Sequence, residues 1–374
     1  MSLGMGRFVY TPIMPLMQDQ AGLTAQAGAL VATANYLGYF LGALLTMLAP
    51  RTFRTRTMLR ACLVALVVTS ACMPLTRALG VWFLLRALSG VASAVVFVIA
   101  VNSVLTTPSA IEEGGTFAGA GAGIALSGLL VVWAPFGHAW TAAWWSSAAL
   151  TAVLTAGAWS LGTGAMPAAN ARPGTPQPRS GRWFVALLVS YFLEGLGYII
   201  AGTFLVAALK QSAPGLADTA WVLVGLAAIP ACVLWAGLSR RRPRQVLLPV
   251  VLALQAVGVA LPVLSSSGAA ALVSAALFGG TFLAVGMIVM PIGARLGVQR
   301  SVAVLTVAYG LGQILGPLLV TPLLDQGYGP ALLVGSVIVA GATAVAALLG
   351  VRCPCFATAP AESTPVHPAV RETV

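Results

Sequence analysis

The sequence predicts an all-α integral membrane protein with twelve transmembrane helices, built as two pseudo-symmetric six-helix bundles. Three observations carry this. Of the 374 residues, 59% are hydrophobic and 7% charged, against about 25% charged in ordinary soluble domains. The apolar residues fall in runs near the roughly 20 residues a helix needs to cross hydrocarbon, without the alternating polarity of outer-membrane strands. The opening stretch Gly4-Met5-Gly6-Arg7-Phe8-Val9-Tyr10-Thr11-Pro12 also has an echo in the second half, Gly195-Leu196-Gly197-Tyr198-Ile199-Ile200-Ala201-Gly202-Thr203, as expected of a chain made of two related units.

The first span runs from the start of the chain to about residue 17. It has neither the basic n-region nor the small-residue cleavage site of a removable signal peptide. It is also short, with three residues before Gly4 where its counterpart has about a dozen apolar residues before Gly195. Spans 2 to 6 follow at about 27–49, 58–76, 80–105, 117–136 and 142–161, so residues 1–162 form the first bundle. Residues 163–182 hold Pro167, Pro173, Pro176, Pro178, Arg172, Arg179 and Arg182, the composition of a solvated linker. Spans 7 to 12, at about 183–209, 220–239, 245–264, 269–293, 301–323 and 331–351, make residues 183–351 the second bundle. Residues 352–374 show no periodic apolar face and read as a disordered cytoplasmic tail.

Basic residues set the orientation. Arg51, Arg54, Arg56 and Arg60 follow span 2, Arg172, Arg179 and Arg182 lie in the linker, and Arg240, Arg241, Arg242 and Arg244 follow span 8. Arg295, Arg300, Arg352 and Arg371 join them on one side, whereas the opposite loops hold only Arg77 and Lys210. The positive-inside rule puts the linker and both termini in the cytoplasm, and the expected location is a bacterial-type inner (plasma) membrane. The register repeats as well, since Arg51 opens a basic loop 47 residues after Gly4 and Arg240 opens one 45 residues after Gly195.

The net charge of +11 sits in these short loops and not on one basic domain, which excludes a nucleic-acid partner. The five cysteines follow no disulfide or zinc spacing. No nucleotide-binding loop of Gly-x-x-x-x-Gly-Lys-Ser/Thr type occurs. With His138 in a turn and His367 in the tail, there is no intramembrane histidine cluster for catalysis, so neither a metal, a cofactor nor an enzyme is expected.

Three charges remain inside spans: Arg7, Arg86 and Glu194. An ionised group at the centre of a membrane helix costs roughly 2.5–3.5 kcal/mol, and such residues face a polar interior and serve transport or proton movement, or else lock helices together. Helical spacing groups Tyr191, Glu194 and Tyr198 on one face, Arg7, Tyr10 and Met14 on a second, and Arg86, Ser89, Ser93 and Phe97 on a third. Arg86 is equally open to substrate contact and to bonding a neighbouring helix's carbonyls. Asn35 and Tyr39 in span 2 and Tyr309 and Gln313 in span 11 are further cavity-lining candidates, whereas Gln255 reads as an interhelical hydrogen bond. Trp133, Trp140, Trp144, Trp145 and Trp183 read as an interfacial belt.

The stretch Leu85-Arg86-Ala87-Leu88-Ser89-Gly90-Val91-Ala92-Ser93-Ala94 resembles the fourth-helix motif of the major facilitator superfamily, an Arg followed four residues later by Gly. The first-helix Gly-x-Gly-Arg-Phe-x-Tyr-Thr-Pro, Asn35-Tyr36-Leu37-Gly38-Tyr39 and Phe192-Leu193-Glu194-Gly195-Leu196-Gly197-Tyr198 are similar to its YbfB/YjiJ-like branch. The superfamily's usual Gly-x-x-x-Asp-Arg-x-Gly-Arg-Arg loop is replaced by Ala49-Pro50-Arg51-Thr52-Phe53-Arg54-Thr55-Arg56, without Asp or Gly.

The resemblance implies two six-helix bundles around a central cavity lined by helices 1, 4 and 7. It implies a secondary active transporter of a small organic solute, proton-coupled and monomeric, working by alternating access in the lipid bilayer. A non-transporting receptor or scaffold of the same fold is the alternative. On the transport reading Glu194 carries the proton and meets Arg7 or Arg86 when ionised, and the excess of one positive charge suits an anionic or zwitterionic solute.

Overall fold

A computed structural model of the chain describes residues 1–53, 55–105, 110–133, 139–159, 181–212, 214–296, 298 and 301–352. Twelve helices cross the molecule. In the first half they are α1 (Ser2–Phe8 and Tyr10–Ala21), α2 (Ala25–Leu48), α3 (Arg56–Cys72), α4 (Leu79–Leu105), α5 (Ala110–Trp133) and α6 (Trp140–Ala158). In the second they are α7 (Gly181–Ser212), α8 (Ala217–Arg241), α9 (Arg244–Leu264), α10 (Gly268–Arg295), α11 (Ser301–Val320) and α12 (Gly329–Arg352). Among the described residues there is no strand, and ten helices are long and apolar enough to cross a membrane. Most of the predicted linker, residues 163–180, and the tail beyond Arg352 lie outside the described residues.

Helix ends follow local chemistry. Thr24, Thr55 and Ser267 stand at N-caps, where their hydroxyls accept from the main-chain N–H groups of Ala27, Met58 and Ala270. Gly22 ends α1 in the left-handed region, at φ 70°. Two predicted boundaries move. Helix α5 starts at Ala110 and not near residue 117, because the helix outlasts its apolar stretch. Helix α7 starts at Gly181, taking in the last two residues of the predicted linker.

The twofold repeat is visible in how helices approach. A Cβ on Gly4 would run into the Ala120 carbonyl of α5, and a Cβ on Gly195 into the Tyr309 carbonyl of α11. The first helix of each half therefore lies against the fifth helix of its own half through an equivalent glycine. The Gly90 of the Arg-x-x-x-Gly motif has the same explanation: it abuts the Asn35 carbonyl, while Gly38 abuts the Ala87 carbonyl, letting α2 and α4 pack backbone to backbone.

Prolines inside the spans leave carbonyls that other helices use. Pro291 deprives the Met287 carbonyl of its donor, and Arg244 Nη1 binds it at 3.0 Å. Pro262 does the same to Gly258, whose carbonyl accepts from Ser274 Oγ at 2.6 Å. Apolar residues such as Leu84, Val153, Leu234 and Val337 point outward and are exposed, as a lipid-facing surface requires. Trp140 and Trp144 depart from the interfacial expectation: both are buried, and Trp140 packs edge-on against Trp82 at 5.8 Å.

The interior is divided along the membrane normal. At the end carrying Asp19, Lys210 and Asp325, one apolar core joins both halves, including Ile13 and Val31 with Phe204, Trp221 and Phe278. At the opposite, arginine-rich end the core splits. One part joins Leu187, Leu248 and Ile288 of the second half to Phe117 of the first, and another holds Leu66, Val95 and Ile99 of the first. Polar contacts between the halves reinforce the closed end: Thr11 Oγ1 donates to the Gly202 carbonyl at 2.7 Å, Tyr36 and Thr203 hydroxyls meet at 2.8 Å, and Gln18 Nε2 donates to Tyr328 at 3.0 Å. Gln26 Nε2 also reaches Asp325 at 2.5 Å. The two halves are thus sealed at one end, with a cavity between them on the arginine-rich side.

Candidate functional site

The site is built on α1. Pro12 offers no N–H to the Phe8 carbonyl, and the helical ladder is interrupted at Val9, although Val9 itself keeps right-handed dihedrals of −61° and −24°. Carbonyls at the end of a helical segment need other donors. Arg86 of α4 supplies two, Nη1 to the Gly6 carbonyl at 3.0 Å and Nη2 to the Arg7 carbonyl at 2.9 Å, while Ser89 Oγ donates to Gly6 at 3.2 Å. A planar guanidinium suits this two-point task. Asn35 Nδ2 holds the Arg86 carbonyl from α2 at 3.0 Å.

With its main chain held from α4, Arg7 sends its side chain towards the second half. Nη2 donates to Gln313 Oε1 of α11 at 2.7 Å, and Gln313 Nε2 donates to the Tyr198 hydroxyl of α7 at 2.5 Å. The guanidinium carbon lies 3.8 Å from the centre of the Tyr39 ring, a cation–π contact that compensates part of the lost hydration. Arg7 is 7% exposed, and its Nε has no hydrogen-bond partner. Among the described residues the ion pair is Lys210–Asp19, at the closed end, so no carboxylate pairs with Arg7.

Beside this clasp is a cavity of about 80 Å³ between the bundles. Arg7, Phe8 and Tyr39 line it from the first half, with Phe97 and Phe117 beyond them. Tyr191, Tyr198, Tyr309 and Phe282 form the facing wall, and the cavity runs to Thr116, an exposed residue. Phe8 meets Phe282 edge-on at 5.9 Å and closes the cavity towards the sealed end.

Glu194 is fully buried and lies apart from both arginines' hydrogen bonds. Its Oε1 accepts from Gln255 Nε2 of α9 at 3.3 Å, and Oε2 has no partner, nor does Gln255 Oε1. The expected pairing of Glu194 with Arg7 or Arg86 is therefore absent from this conformation. Helix geometry gives the reason: Glu194 is rotated about 60° from Tyr191 and about 40° from Tyr198 around α7, enough to turn it from the cavity to α9.

Of the sequence candidates, Arg7, Tyr39, Tyr191, Tyr198 and Tyr309 line the cavity, and Gln313 braces Arg7. Tyr10 does not: its hydroxyl donates to the Gly28 carbonyl at 3.0 Å. Asn35, Arg86 and Ser89 are taken up in holding α1, and Ser93 is buried without lining the cavity. Sequence reasoning missed Phe8, Phe282 and Phe117 as cavity wall, and gave Gln255 no link to Glu194. A mid-span position shared by a Gln and a Glu on neighbouring helices was the available signal.

Comparison with solved structures gives a fold match to a mutant of the nucleoside transporter NupG. The TM-score is 0.66 at 13% identity, over 93% of this chain and 98% of that one. The two share a fold. No curated protein matches the chain. A family model described as the uncharacterised MFS-type transporter YbfB matches residues 1–351, and the chain belongs to that major facilitator family of transporters.

Proposed function

We propose that this transporter is a proton-coupled secondary carrier of a small organic anion, acting as a monomer by alternating access. The observation that carries this reading is Arg7, a buried cation on the wall of the cavity between the bundles with no carboxylate paired to it among the described residues. Arg86 is neutralised in part by the carbonyls it holds, so the uncompensated charge sits where a solute would bind. An isolated buried charge is costly and calls for a counter-ion. The sealed end and the cavity at the other correspond to one of the two states that alternating access needs.

The proton site in this reading is Glu194. A proton on Oε2 turns an orphan acceptor into a donor, and the adjacent amide offers Gln255 Oε1, an acceptor that also lacks a partner. Protonation would thus satisfy the pair, and ionisation would leave a buried charge with a single amide donor. The arginine-rich end faces the cytoplasm of an inner (plasma) membrane on the distribution of basic residues. The test is uptake of a panel of radiolabelled organic anions into proteoliposomes with and without an imposed pH gradient. Gradient-driven accumulation that a protonophore abolishes supports the proposal. Binding without accumulation supports the receptor alternative.

A further inference from the structure

The cavity wall has a composition unlike the rest of the chain. Phe, Trp and Tyr make up 8% of the sequence, yet half of the residues lining the cavity are aromatic, and Arg7 is the sole charged one among them. A wall that only had to be apolar could be Leu, Val and Ala, as it is on the lipid-facing surface. The rings are also ordered. Tyr191 and Tyr309 stack at 4.5 Å with planes 17° apart, Tyr309 and Tyr198 at 5.4 Å and 12°, and Tyr198 and Phe282 at 6.0 Å and 9°. One side of the cavity is therefore a stack of near-parallel rings belonging to α7, α11 and α10.

The Arg7 guanidinium is only partly used. Nη2 donates to Gln313 at 2.7 Å and to the Tyr198 hydroxyl at 3.5 Å, while the buried Nε–H is unpartnered. A carboxylate accepts a charge-assisted hydrogen bond well from such a donor. We propose that the solute is a small aromatic carboxylate, a planar monoanion of one ring. Its carboxylate is held by Arg7, and the face of its ring lies against the edges of the Tyr191–Tyr309–Tyr198 stack. This rests on the reading of the protein as an anion carrier and specifies the substrate class of the same site. The volume of about 80 Å³, below the roughly 150 Å³ of a cavity that holds benzene, limits the solute to a single ring and requires the wall to give as it enters.

The test is isothermal titration of the purified full-length protein with benzoate, benzamide, cyclohexanecarboxylate and uridine. Benzoate should bind, and benzamide, which keeps the ring and loses the charge, should bind at least about tenfold more weakly. Cyclohexanecarboxylate, which keeps the charge and loses the planar face, should also fall by about tenfold. Tyr309→Leu should weaken benzoate by about tenfold and cyclohexanecarboxylate by clearly less, so that the preference for the planar ring shrinks. Equal affinity for cyclohexanecarboxylate, or binding of benzamide or uridine at the affinity of benzoate, overturns the proposal. Gradient-driven transport of aliphatic carboxylates with no preference for a ring would overturn it too, while leaving the anion-carrier reading standing. Absence of any carboxylate binding or transport would remove both.

Discussion

The guanidinium of Arg86 ends on the carbonyl oxygen of Arg7, at 2.9 Å, so the two intramembrane arginines stand in series. One fixes the main chain from which the other reaches into the cavity. This division of labour separates two residues that are alike in the sequence, and it assigns them different mutant behaviour.

Arg86→Lys removes the two-point fork; the Gly6 carbonyl keeps Ser89 Oγ, and the Arg7 carbonyl is left without its donor. Leaving a buried acceptor unsatisfied costs about 1–3 kcal/mol. The expected result is a clear fall in the thermal unfolding midpoint of the detergent-solubilised protein. An unchanged midpoint would show that the fork does not hold α1.

Gln313→Glu places a carboxylate oxygen where Oε1 now accepts from Arg7 Nη2 at 2.7 Å. The Arg7 charge, on the proposed reading the solute's counter-ion, would then be met from within. Thermal stability should hold or rise, while binding of organic anions falls by about tenfold or more. Anion binding equal to that of the parent would mean that Arg7 is not the solute's counter-ion.

Gly90→Ala should be poorly tolerated although alanine is the better helix former. A Cβ there would overlap the Asn35 carbonyl of α2, and overpacking of a tight contact costs about 1–3 kcal/mol. Gly157→Ala, where nothing lies within 4 Å of the added carbon, is the control and should be neutral. Equal midpoints for the two variants would remove the packing explanation of the Arg-x-x-x-Gly motif.

The closed end should depend more on its core than on its ion pair. Lys210 and Asp19 are 32% and 65% exposed, and a pair so exposed contributes about 0–1 kcal/mol. Asp19→Asn should therefore leave transport nearly unchanged. Joining Gln26→Cys to Asp325→Cys with a short thiol crosslinker should stop transport, and a cleavable linker should restore it on reduction. Full activity while crosslinked would show that this end need not open.

Much of the architecture was legible in the sequence because membrane spans announce themselves by length, and the two halves share Gly4 and Gly195 in one register. The intramembrane charges were legible for the same reason: Arg7, Arg86 and Glu194 stand out in an apolar background. What the sequence did not show was which way they turn. Arg86 reads as a site residue until α1 is seen to lie against it, and the turn of Glu194 towards Gln255 depends on a rotation of α7 that spacing alone leaves open. The aromatic wall was hidden for a different reason. In a membrane protein both the lipid-facing and the inward-facing surfaces are apolar, so Phe117 or Phe282 carries no sign of which it joins.

The central claim is that a proton on Glu194 drives the movement of an anion held by Arg7. It is tested most directly by reconstituting Glu194→Gln and comparing two rates for one labelled anion, exchange against unlabelled anion at equal pH and accumulation under a pH gradient. The neutral amide of that variant resembles the protonated carboxyl, so exchange should persist while gradient-driven accumulation is lost. Accumulation at the parent's level in Glu194→Gln would contradict the account.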